Sequence, residues 1–62
     1  MKKQVSLSFF NETPGAFRYR EINDDGQQIK GDEEGAQLGD IYLRKVAVPG
    51  PAPDKITLTI EY

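Results

Sequence analysis

The sequence predicts an all-β fold, a small antiparallel sheet or partly open barrel of four to five strands joined by hairpins. Three observations carry this expectation. Apolar and polar residues alternate at period two in four segments. No window of eleven residues holds a 3.6-residue apolar repeat free of Gly or Pro. Turn-forming residues separate the alternating runs.

The first strand is expected over 3–10, where Val5, Leu7 and Phe9 alternate with Ser6, Ser8 and Phe10. Thr13-Pro14-Gly15 then turns the chain into a second strand over 16–23, in which Phe17 and Tyr19 alternate with Arg18 and Arg20. Parity constrains this turn. A plain two-residue Pro-Gly loop would set Phe10, not Phe9, opposite Tyr19, so an odd loop or a bulge is required, with Gly15 as the residue able to supply a left-handed conformation.

Asp25-Gly26 is a two-residue hairpin signal, because both central positions of a type I′ turn need positive φ. Counting outward from it sets Ile22 opposite Ile29 and Glu21 opposite Lys30, which predicts a short fifth strand. Residues 31–39 are acidic, Gly-rich and without periodicity, and read as a loop. A strand over 40–47 follows, with Ile41 and Leu43 alternating with Tyr42 and Arg44. Val48 to Asp54 carries prolines at 49, 51 and 53 and reads as a stiff connection that cannot continue a ladder. The clearest strand is the last, over 55–62, where Ile56, Leu58, Ile60 and Tyr62 alternate with Lys55, Thr57, Thr59 and Glu61.

Residues 1–62 therefore read as a single small β domain. A chain of this size buries only ~60% of the surface its unfolded form exposes. Leu, Ile, Val and Phe make up 15 of the 62 residues, above the range of disordered chains. Histidine and cysteine are absent, which excludes Ser/His and Cys/His nucleophile pairs, thiolate or imidazole zinc sites and disulfides. With no such staple, the domain must rely on its core or on a partner subunit. Met1-Lys2-Lys3 leads into no apolar signal-peptide core, and no run of 18 apolar residues suggests a membrane span, so the expected location is cytoplasmic.

The formal charge of -2 conceals a segregation. Glu21 to Asp40 holds seven acids and one base, whereas the remaining residues hold seven bases and three acids. One sheet face is expected to carry Phe10, Ile22, Tyr42 and Arg44 among polar residues. An apolar patch of Phe10, Ile22, Ile29, Tyr42 and Val46 on an unstapled domain points to a protein interface, either a homodimer or a contact with another protein. The alternative partner is single-stranded nucleic acid, bound by Arg18, Arg20, Tyr42, Arg44 and Lys55, since interleaved cations and aromatics form a stacking platform. The acidic lobe and the pI of 4.9 oppose that alternative at long range.

Other chemistry is weakly signalled. An EF-hand alignment on Gly26 places Glu21, Asn23, Asp25 and Asp32 at ligand positions, but it lacks the bidentate Glu and the flanking helices. Asp24-Asp25 and Glu33-Glu34 are adjacent carboxylates without a cleft to shift them toward acid/base work. Gly31, Gly35 and Gly39 lack the Lys and Ser/Thr of a phosphate loop. The expectation is a non-catalytic protein with no metal and no cofactor.

Three blocks, Thr13 to Glu21, Gly39 to Lys45 and Pro53 to Ile60, resemble a family of short uncharacterised bacterial all-β proteins. That family has a Thr-containing turn before an Arg-Tyr strand, a Gly-x-x-Tyr-x-x-Lys strand and a final Ile-Thr-rich strand. The resemblance implies a bacterial source and the same strands; it carries over no functional residue.

Overall fold

The computed structural model describes all 62 residues as four antiparallel strands in one curled, half-barrel sheet. The strands are β1 (Lys2–Glu12), β2 (Ala16–Glu21), β3 (Asp40–Arg44) and β4 (Lys55–Glu61), in the spatial order β3-β2-β1-β4. This is the order of a Greek key: β1, β2 and β3 are successive neighbours, and β4 returns to lie beside β1. No helix is long and apolar enough to cross a membrane.

The alternation turns Val5, Leu7, Phe17 and Tyr19 to the concave face, where all four are buried. Ile41, Leu43, Ile56 and Leu58 from the outer strands pack around them and stay half-buried, because a sheet of four strands curls without closing. The segment from Lys45 to Asp54 crosses from β3 to β4 past the ends of the two central strands. It starts as a 3-10 turn, Lys45–Ala47, which ends β3 three residues before the sequence pattern suggests. The Lys45 N–H donates to the Gly15 carbonyl at this point, and Val46 is left 90% exposed. Val48 and Ala52 then cover the core, and the Tyr19 hydroxyl donates to the Pro53 carbonyl at 2.8 Å. The prolines thus serve a strap across the core rather than a hairpin.

The parity requirement between β1 and β2 is met by a bulge. Phe9 pairs with Tyr19 and Asn11 with Arg18, so Phe10 is the extra residue. The turn itself has only Pro14 and Gly15 at its tip, closed by the Thr13 N–H donating to the Ala16 carbonyl at 2.8 Å. Gly15 does not have positive φ, so it is not the residue that corrects the register. Phe10 does so.

The fifth strand shortens to one bridge, Ile22 with Gln28. The register differs by one from the two-residue turn because the Asn23 side-chain oxygen accepts the N–H groups of Asp25 and Gln27, both at 3.0 Å. That bond closes a three-residue tip, Asp24-Asp25-Gly26, with only Gly26 at positive φ (81°). Ile22 therefore does not face Ile29.

Candidate binding face

The bulge at Phe10 creates the most distinctive surface of the protein. Phe9 points inward and meets Phe17 and Tyr19 edge-on, with centroids 6.3 and 6.0 Å apart. Phe10, the next residue, lies on the opposite face against two arginines. The Arg20 guanidinium carbon sits 3.8 Å from the Phe10 ring centroid and that of Arg18 sits 5.0 Å away. Arg18 also lies 5.7 Å from the Tyr42 ring, its cross-strand neighbour. Cation–π attraction of this kind contributes about 0.5–2 kcal/mol, more as the pair is desolvated.

Asp40, the first residue of β3, holds both arginines. Its carboxylate accepts from Arg18 Nε at 2.9 Å and Nη2 at 2.5 Å, and from Arg20 Nε at 2.8 Å and Nη2 at 3.1 Å. These side chains are only 15 to 30% exposed, so the pairing is less screened than at an open surface. The Arg20 hydrogen bonds hold the Asp40 carboxyl below its ordinary value, against the opposing effect of burial and with further help from Arg18. The bond to Asp40 likewise raises Arg20, which stays charged. A single carboxylate thus fixes two guanidinium planes beneath exposed aromatic rings.

Of the residues expected on this face, Phe10, Arg18, Arg20 and Tyr42 come together. Arg44 continues the row beyond Tyr42, with its guanidinium beside Gly15. Lys55 lies at the far edge, separated from Arg20 by Ser8. Ile22 is half-buried one row away, its N–H bonded to the Ser6 carbonyl, and stands outside the aromatic cluster. Gln28 reaches back over the face to Ser8 Oγ at 2.9 Å, so the hairpin tip covers part of it.

Two carboxylates have roles that the charge count concealed. Asp40 belongs to the arginine cluster rather than to the acidic lobe. Its position at the head of the β3 alternation is the signal for this. Glu21 shares parity with Phe17 and Tyr19 and is likewise buried on the concave side, 3% exposed. It does not meet Lys30. Its Oε1 accepts the N–H groups of Gln37, Leu38 and Gly39 at 2.8, 2.8 and 3.0 Å. Burial alone would push this carboxyl up, but the three amides, with Lys3 nearby, outweigh it and hold the group below its ordinary value. Glu21 is thereby engaged in the loop anchor, and not with Asn23 and Asp25 as the calcium alignment requires.

Of the three glycines at spacing of four, Gly31 and Gly39 have a packing explanation, whereas Gly35 has open space around it and a positive φ. Gly31 and Gly39 meet backbone to backbone where the acidic loop closes. A cleft of about 600 Å³ opens between β1, the end of β2 and this loop, lined by Ser6, Ile22, Asn23, Ile29, Gln37 and Lys55 among others. It does not include Phe10, Arg18, Tyr42 or Arg44.

A scan against protein-family models and searches of curated proteins and of solved structures return no match. The resemblance of the three sequence blocks therefore stands on those residues alone.

Proposed function

We propose that this protein is a non-catalytic protein-binding module, bacterial and cytoplasmic in setting, whose contact surface is the face centred on Phe10 and Tyr42. The supporting observation is the cluster itself. Phe10 and Tyr42 are 38% and 58% exposed, and the arginines beneath them are already immobilised by Asp40. Aromatic and Arg side chains are the residue types that dominate protein interfaces, and side chains ordered in advance lose less entropy on binding. Asp40 also weighs against the nucleic-acid alternative, because it neutralises part of the charge that a phosphate backbone would require from Arg18 and Arg20. Arg44 and Lys55 are the cations of this face without an ion pair, and they stand at opposite sides of it.

The test compares the wild-type protein with the Phe10→Ala/Tyr42→Ala double variant, matched for circular dichroism. Each is used as bait in cells of the source organism and titrated with labelled single-stranded DNA and RNA at low and high salt. A stoichiometric protein partner retained by the wild type and lost by the variant is the expected result. Equal retention by both, or salt-sensitive oligonucleotide binding in place of a protein partner, overturns the reading.

A further inference from the structure

The outer edge of β4 has a feature that the reading of the Phe10 face does not use: its residues are arranged to match a second copy of themselves. Val5 pairs with Leu58 and Leu7 with Ile56 on the β1 side, and the Phe9 N–H donates to the Asp54 carbonyl. At the other end, the Tyr62 N–H donates to the Met1 carbonyl, and the Met1 amino group donates to the Tyr62 carbonyl. Backbone groups alternate sides along a strand. With 54 and 62 turned toward β1, the N–H and C=O groups of Lys55, Thr57, Thr59 and Glu61 face solvent.

We propose that this protein forms a symmetric homodimer by antiparallel pairing of its β4 edges, with the twofold axis at Leu58. In that register Lys55 lies opposite the partner's Glu61, Thr57 opposite the partner's Thr59, and Ile56 opposite the partner's Ile60. Every pair is complementary. The solvent-facing backbone groups fall on the Lys55–Glu61 and Thr57–Thr59 pairs, so these become the hydrogen-bonded pairs of the new ladder, and two half-barrel sheets join into one of eight strands. The charges add direction, since a parallel arrangement would set Lys beside Lys and Glu beside Glu.

Packing favours the same arrangement. Ile56, Leu58 and Ile60 are only half-buried in the single chain, and the pairing brings each against its apolar counterpart on the concave side. The opposite edge is a weaker candidate. β3 has five residues against seven in β4, its Asp40 carboxylate is occupied by Arg18 and Arg20, and the chain bends into a 3-10 turn directly after it.

Sedimentation equilibrium over a range of protein concentrations is the test, with four variants. Thr59→Pro removes an N–H that makes no bond within the single chain, so the variant keeps its far-UV spectrum and sediments as a monomer. Lys55→Glu and Glu61→Lys each set like charges together at both ends of the interface. Each raises the dimer Kd roughly tenfold. The double variant K55E/E61K restores opposite charges, and with them dimerisation close to wild type. A wild-type protein that is monomeric up to about 0.5 mM overturns the proposal. So does a dimer that all four variants leave intact, or one that Phe10→Ala/Tyr42→Ala dissociates. Lys55 borders the Phe10 face, but Thr59 and Glu61 pair with Gln4 and Lys2 at the far end of the sheet, so Thr59→Pro and Glu61→Lys leave that face unchanged and the two proposals fail separately.

Discussion

Replacing Glu21 tests how the acidic loop is tied to the sheet. The buried carboxylate accepts three backbone N–H groups, of which the one from Gly39 is fully enclosed and those from Gln37 and Leu38 are partly so. A hydrogen bond to a charged group contributes about 1.5–3 kcal/mol, and a buried donor left without an acceptor costs about 1–3 kcal/mol. Glu21→Ala should therefore cost about 2–4 kcal/mol, since water can replace the two outer bonds but not the inner one. That is most of the ~3–5 kcal/mol that a domain of this size holds. Glu21→Gln keeps an oxygen where Oε1 sits but loses the charge and the second acceptor, Oε2, that the Gln37 N–H also reaches at 3.1 Å, so about 1–2 kcal/mol is expected, or a Tm lower by ~4–16 °C.

Urea unfolding across a pH series is the assay. The folded Glu21 carboxyl lies below its ordinary value of 4.5, so its contribution is complete above that pH and declines as pH falls through the lower, folded value. The gap between wild type and Glu21→Gln should be full at pH 7 and close in acid. Asp40 titrates in both proteins and cancels from the difference. An unchanged urea midpoint at pH 7, or a gap independent of pH, would refute the reasoning.

Two further substitutions probe the backbone. Gly39→Ala should destabilise by about 1–3 kcal/mol or more and raise amide exchange at Gln37 and Leu38, because Gly39 has φ of +81° and a new Cβ would lie 2.8 Å from Gly31 Cα. Unchanged exchange would show that the loop closes without that contact. Deleting Phe10, two residues before the end of the eleven-residue β1, should be tolerated: Phe9–Tyr19 and Asn11–Arg18 then become consecutive pairs of a regular ladder. Circular dichroism and an HSQC spectrum that retain the Tyr19 and Leu58 signals would support this, and an unfolded spectrum would contradict it.

The strands were legible because alternation is a local property: Val5 to Phe9, Phe17 to Tyr19 and Ile56 to Ile60 lie within the strands observed. The bulge was legible as a parity conflict, although its position was not, since an odd loop at Gly15 would resolve the conflict as well as the bulge at Phe10 does. The turn at Asp25-Gly26 departs by one residue from the two-residue hairpin because an Asn23 side-chain bond competes with the backbone preference of the dipeptide. The strap over the core was hidden because it depends on β4 lying beside β1 instead of β3. The candidate face was half legible. Its aromatics and arginines follow from parity, but the pairing of Arg18 and Arg20 with Asp40 joins residues 22 and 20 positions apart, which only the fold brings together.

The strand order also sets a sequence of events in time. β1 and β2 can pair through a two-residue turn as soon as both exist, but the other side of β1 is filled by a strand more than forty residues downstream. Pairings that distant form slowly, because a long loop must close before any contact rewards it. During synthesis, every chain passes through a stage in which β1 has neighbours on one side only. Its open side is then the flank later covered by Lys55–Glu61. In that interval Val5 and Leu7 lack Leu58 and Ile56 beside them, which leaves the emerging chain more prone to aggregate than the finished protein.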